Sequence, residues 1–173
     1  SQTNSNLLVP PARFNYSQNF ATLLELGEYC HLPASKLKWD PIYFENPTEA
    51  ELKVRWPDLN DEDVVRGRSS RVFTCLCHIW NLVNFVKNIP NGFRFTVSDG
   101  TTRLIDDGSS VIAFCMIVFH KNAKSQLTRS AFPCYYLVCP GKGEPSACVK
   151  SSLLSAENFL ERMFKLSLRA DYT

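Results

Sequence analysis

Two apolar runs dominate the second half of the chain. Val111-Ile112-Ala113-Phe114-Cys115-Met116-Ile117-Val118-Phe119 is apolar without alternation, and Phe132-Pro133-Cys134-Tyr135-Tyr136-Leu137-Val138-Cys139 is apolar on both parities. The polar residues from Lys121 to Ser130 lie between them and can fold the two runs into a hairpin. Short runs rich in β-branched and aromatic residues read as strands. Side chains on a strand alternate between faces, so both faces of such a sheet need cover. Helices elsewhere in the chain can supply it on one face only. Each large group left on the other is worth roughly 1.5 to 3 kcal/mol when buried, which marks that face as an interaction surface.

The remaining pattern predicts the elements that flank this hairpin. Residues 1–19, with Pro10 and Pro11, read as a lead-in to a domain spanning 20–173. Phe20, Leu23 and Leu24 suggest a short helix closed by Gly27. Tyr29 to Phe44 is irregular and apolar, interrupted by Pro33 and Pro41. Asn46-Pro47-Thr48-Glu49 is a helix start that runs to about Trp56, with Asn46 as cap. Asn60 to Asp63 offers a second acidic start, which Gly67 and Ser69-Ser70 leave of uncertain length. Val72, Leu76, Ile79, Val83 and Val86 then recur at helical spacing, with Phe73 and Trp80 beside them, up to Pro90.

Period two follows, with Phe93, Phe95 and Val97 on one face and Arg94, Thr96 and Ser98 on the other. Asp99-Gly100 and Asp107-Gly108 read as hairpin turns around a short strand, Thr101 to Ile105. After the long hairpin, Gly141 to Pro145 turns the chain into a last strand around Ala147 to Leu154, and Ser155 caps a closing helix bearing Phe159, Leu160, Met163 and Phe164. This order predicts an α+β fold, a curved antiparallel sheet with helices packed on one face.

Composition narrows the function. Apolar residues make up 45% of the 173-residue chain, with 12 Phe, 6 Tyr and 3 Trp, which is enough for one sizeable core. A net charge of +2 with dispersed basic residues gives no electrostatic footprint for nucleic acid. No run of about 18 apolar residues is present, so no membrane span is expected. The start at Ser1 leads to the expectation of a piece of a larger protein. The seven cysteines include no C-x-x-C pair, and Cys75 and Cys77 would diverge on a helix. They read as buried thiols in a reducing compartment, and neither a metal nor another cofactor is expected.

Several quoted segments resemble the nuclear transport factor two-like domain of TAP-type nuclear RNA export factors. Asn81-Leu82-Val83-Asn84-Phe85-Val86-Lys87-Asn88-Ile89-Pro90 is similar to that family's helix end, and Phe93 to Asp99 to the strand after it. Arg129 to Pro140 resembles its aromatic strand, Ser146 to Leu154 its last strand, and Pro10 to Phe14 its Pro-rich lead-in. The resemblance covers about residues 81–164; residues 30–60 depart from it.

The resemblance implies a cone-shaped fold that pairs through its sheet with an Nxt-type small export cofactor. It also implies a nuclear location, RNA bound through other domains, and phenylalanine-glycine nucleoporin repeats as further ligands. It leaves bulk mRNA export and a specialised role in nuclear RNA handling or small-RNA silencing both open. Phe114, Met116, Val118, Tyr136 and Val138, or their opposite-parity neighbours, would carry the contact. Arg129, like Lys121 and Lys124, reads either as a solubilising edge charge or, for Arg129, as a partner for an acid across the interface.

No catalytic residue is expected. The chain lacks G-x-S-x-G, H-E-x-x-H and phosphate-loop patterns. Asp99 or His78 would be the base in the alternative of a small-molecule enzyme of the same cone fold; a homodimeric scaffold is the other alternative.

Overall fold

The computed structural model describes residues 23–29, 41–89, 94–102, 104–143 and 145–168. The lead-in at 1–19, Phe20, His31 and Phe93 lie outside them. Gly27, expected to end the first helix, is instead buried inside α1 (Leu23–Tyr29), which packs on α4 (Leu76–Asn88), its Leu26 fully buried in the main core. A two-residue strand β1 (Ile42–Tyr43) follows. Thr48, not Asn46, caps α2 (Glu49–Arg55), with the Thr48 side chain accepting from the Glu51 amide and Glu51 accepting from the Thr48 amide. Asn46 is used elsewhere, donating from Nδ2 to the Arg68 carbonyl at 2.7 Å. The second acidic start does form a helix, α3 (Asp61–Arg68), capped by Asn60 and continuous through Gly67.

Val72 and Phe73, expected on the central helix, belong to a strand, β2 (Arg71–Thr74), and α4 (Leu76–Asn88) starts after Cys75. The β-branched and aromatic pair reaches the same core from an extended backbone, which helical spacing alone cannot exclude. Arg94 closes the far end of α4. Its guanidinium donates to the Val86 and Ile89 carbonyls at 2.7 and 2.8 Å, and to those of Ser167 and Leu168 at 3.2 Å. A cation on the last carbonyls of a helix also meets the negative end of its dipole.

Strand β3 (Phe95–Thr102) runs straight through Asp99-Gly100, so no turn forms there; β4 (Ser110–Lys121) and β5 (Leu127–Cys139) form the expected hairpin. Asp107-Gly108 does turn the chain, with Gly108 at φ +78°. At the hairpin tip the Asn122 side chain accepts from the Lys124 and Gln126 amides. The five strands form one antiparallel sheet in the order β1-β2-β5-β4-β3.

The expected last strand is absent: Ser146 to Phe164 is a single helix, α5, and Gly141 to Gly143 lead into it rather than forming a hairpin tip. Ser146 to Leu154 mixes small, polar and apolar residues without strict alternation, a pattern that fits a helix as well as a strand. Here small residues decide, because Ser152 and Ser155 donate their hydroxyls to the Val149 and Ser151 carbonyls and leave little polar surface. Gly67 lets α3 sit directly on this helix. The fold is thus α+β, with α1, α4 and α5 sharing the core with one face of the sheet and α3 packed on α5. None of the described helices is long and apolar enough to cross a membrane.

Candidate functional site

Register assigns each strand residue to a face, since directly opposed side chains point the same way. Met116 lies opposite Phe132, Ile112 opposite Leu137 and Phe114 opposite Tyr135. Ile112, Met116, Tyr135 and Leu137 are buried in the main core, and the Phe114 ring stacks on Tyr135 at 4.7 Å. This inner face meets the helices. The other parity, Val111, Ala113, Cys115, Ile117 and Phe119 on β4, forms the outer face.

A bulge makes β5 change parity. The register slips between Phe114 and Cys115, which oppose Tyr135 and Pro133, so Cys134 is the extra residue. Pro133 has no N–H to give to a ladder, and a bulge beside it absorbs that defect. Beyond the bulge Tyr136 and Val138 face outward; before it Arg129, Ala131 and Pro133 do. The slip thus exchanges the two faces of β5 at Cys134.

The six residues expected to carry a partner contact are consequently divided. Phe114, Met116 and Val118 turn inward, and Met116 is only 4% exposed. Tyr136, Val138 and Arg129 turn outward. The continuous run of β4 hides its parity, and only pairing with β5 reveals it. The opposite-parity neighbours Val111, Ala113, Cys115 and Ile117 take the outward places.

The outer face is largely apolar, with Arg71, Asp99, Thr101 and Arg129 toward its margins. One row crosses all five strands: Tyr43 opposes Phe73, which opposes Tyr136, then Ala113, then Asp99. Phe73 stacks on Tyr136 at 5.6 Å and lies 6.1 Å from Tyr43. Toward the hairpin tip Val97, Cys115 and Pro133 share a row, then Phe95, Ile117 and Ala131. Phe95 and Phe119 meet edge to face at 6.0 Å.

Tyr43, Phe95, Val97 and Phe119 are 59%, 53%, 45% and 51% exposed. On β3 the alternation is thus inverted: the apolar parity faces away from the helices and the polar parity, Thr96 and Ser98, toward them. An antiparallel sheet normally turns its polar face to water. The main core draws its strand residues from the inner parity and the bulge, and no outward residue of β3, β4 or β5 belongs to it.

At one end of this face, where β2 turns into α4, three soft donors converge. Cys75 Sγ lies 3.0 Å from Cys77 Sγ and 3.1 Å from His78 Nδ1, and the three donor atoms fall within 4.8 Å of one another. The expectation that Cys75 and Cys77 diverge assumed that both are helical. Cys75 is extended, at φ −118° and ψ 169°, and occupies the α4 N-cap without making a capping hydrogen bond. Its sulfur is turned toward its neighbours instead. The premise of the argument against a metal therefore fails at this corner, and C-x-C-H astride a strand-to-helix junction was the signal available.

The His78 ring packs edge-on against Tyr136 at 5.3 Å. Burial lowers the His78 pKa and, with the adjacent Cys75, pushes the Cys77 thiol up to about 11. Asp99, the other candidate base, lies on β3, two strands from Tyr136 and so about 10 Å from it at the usual strand spacing. His78 and Asp99 therefore make no acid-base pair.

These features define an α+β protein with an apolar, aromatic sheet face opposite its helices. No family model, curated protein or solved structure matches the chain.

Proposed function

We propose that this chain is a non-enzymatic heterodimerisation module of the nuclear RNA export factor type, with an Nxt-type small cofactor seated on the outer face of its sheet. The observation that carries the reading is the inverted alternation of β3 beside the Tyr43-Phe73-Tyr136 row, which leaves large aromatic groups facing water. Covering such a face is favourable at roughly 25 cal/mol per Å² of apolar area, against which association costs must be set. A stable pair buries on the order of 1,600 Å², and its energy would lie in the central aromatics. Arg129 stands on the same face near the hairpin tip, where it can meet an acid of the partner.

The resemblance over Asn81 to Pro90 and Arg129 to Pro140 supports the partner's identity and the cone-shaped form of the fold. The segment at Ser146 to Leu154 does not, being helical. Nuclear location, nucleoporin-repeat binding and a role in mRNA export or small-RNA silencing rest on the same resemblance and belong to the proposal.

Co-purification with an Nxt-type cofactor tests it. Phe95→Asp and Tyr136→Asp are expected to abolish pairing while keeping the helical circular dichroism, and Lys124→Ala at the hairpin tip to leave pairing intact. Equal loss in all three, or pairing untouched by both aromatic variants, rejects this face as the interface. A pull-down with nucleoporin repeats separates the export role from the specialised one.

A further inference from the structure

We propose that Cys75, Cys77 and His78 form a three-ligand zinc site at the β2–α4 corner, with the fourth coordination position open to water. Thiolate sulfur and imidazole nitrogen are the preferred ligands of Zn²⁺, and two Cys with one His plus an exchangeable ligand is an established tetrahedral set. Geometry agrees with it. Bonds of about 2.3 Å to sulfur and 2.0 Å to nitrogen place tetrahedral donors about 3.6 to 3.8 Å apart. The two separations made by Cys75, 3.0 and 3.1 Å, widen by less than an ångström to admit an ion, and the Cys77 and His78 donors lie within 4.8 Å of each other.

Two local effects oppose each other at the sulfurs: burial and Cys75 raise the Cys77 thiol, while the start of α4 favours thiolate. The sulfurs sit at the N-terminal end of α4, a 13-residue helix whose N-cap side chain makes no capping bond, so the positive end of the dipole faces them. His78 offers Nδ1 toward Cys75, and its ring is held by Tyr136. Among the described residues no fourth Cys, His, Asp or Glu joins the group. Binding releases the thiol protons to solvent as two Zn–S bonds form, so affinity rises with pH.

Such an ion would tie the end of β2 to the first turn of α4, beside the aromatic row. The site stands independently of the pairing proposal, because all three ligands come from this chain.

Cobalt substitution on the full chain, reduced and freed of metal, tests it. The expected result is one Co²⁺ per chain, with thiolate-to-cobalt charge transfer and d–d absorption of tetrahedral intensity, both erased by one equivalent of Zn²⁺. Cys75→Ser, Cys77→Ser and His78→Ala should each weaken cobalt binding by at least tenfold. Cys115→Ser, on the outer face but outside the group, should leave it unchanged, and circular dichroism should verify that every variant is folded. Cobalt bound only in an octahedral, thiolate-free form overturns the site, as does binding indifferent to all three ligand variants. A Cys75–Cys77 disulfide whose reduction restores no cobalt band overturns it as well.

Discussion

At Gly67 the backbones of α3 and α5 approach so closely that a β-carbon would lie 2.8 Å from the Ala147 carbonyl oxygen and 3.3 Å from Ser151 Cβ. Two effects of Gly67→Ala compete. Alanine improves helix propensity by about 1 kcal/mol, whereas forcing an atom against a fixed carbonyl costs typically 1 to 3 kcal/mol. The obstacle is main chain and cannot swing away, so the steric term wins. Gly67→Ala should lower the midpoint of urea unfolding with little change in slope. From the sequence alone this glycine reads only as a threat to helix continuity, because the neighbour that requires it lies 80 positions away, at Ala147.

Among the elements, α5 departs furthest from its sequence pattern. Ser151 Oγ is buried without a hydrogen-bond partner, so removing it should help in two ways. It deletes an unsatisfied polar atom and installs the best helix former. Ser151→Ala should raise stability by roughly 0.5 to 1.5 kcal/mol, measured by denaturant unfolding. A marked loss would instead fit an extended segment, where alanine is depleted.

Legibility followed the strength of local signals. The β4–β5 hairpin and the acidic start at Asn60 were readable because a polar interval or a cap marks each boundary. Val72 and Phe73 were misassigned to α4, and Asp99-Gly100 to a turn, because each has a second local reading that only strand pairing excludes. The six residues of the expected interface set are divided between the faces for the same reason: Tyr136, Val138 and Arg129 face outward, while Phe114, Met116 and Val118 face the core. The Cys75-Cys77-His78 group was missed because it straddles two elements, and the i, i+2 rule for helices was applied across their junction.

For the molecule as a whole, the two sheet faces have opposite accounts with water. The helices bury Ile112, Met116, Tyr135 and Leu137 on the inner face, where Phe132 near the hairpin tip stays 40% exposed, while the outer face leaves Tyr43, Phe95, Val97 and Phe119 facing solvent. Without a partner the chain should self-associate as its concentration rises. Because apolar burial drives that association, added sodium chloride should not dissolve the oligomers, and Phe119→Asp should shift them toward monomer in sedimentation velocity. Oligomers that dissociate in salt would place the contact on charged surface instead.

Asp99 ends the row that begins at Tyr43, on the edge strand β3, and it is exposed. A surface that slides over the aromatic row and reaches this edge takes the water from a carboxylate, at a cost of several kcal/mol unless a cation replaces it. Shape and greasiness alone therefore do not qualify a molecule to complete the sheet. If the face is covered as proposed, Asp99 favours a partner that carries a lysine or arginine at that place and penalises the rest.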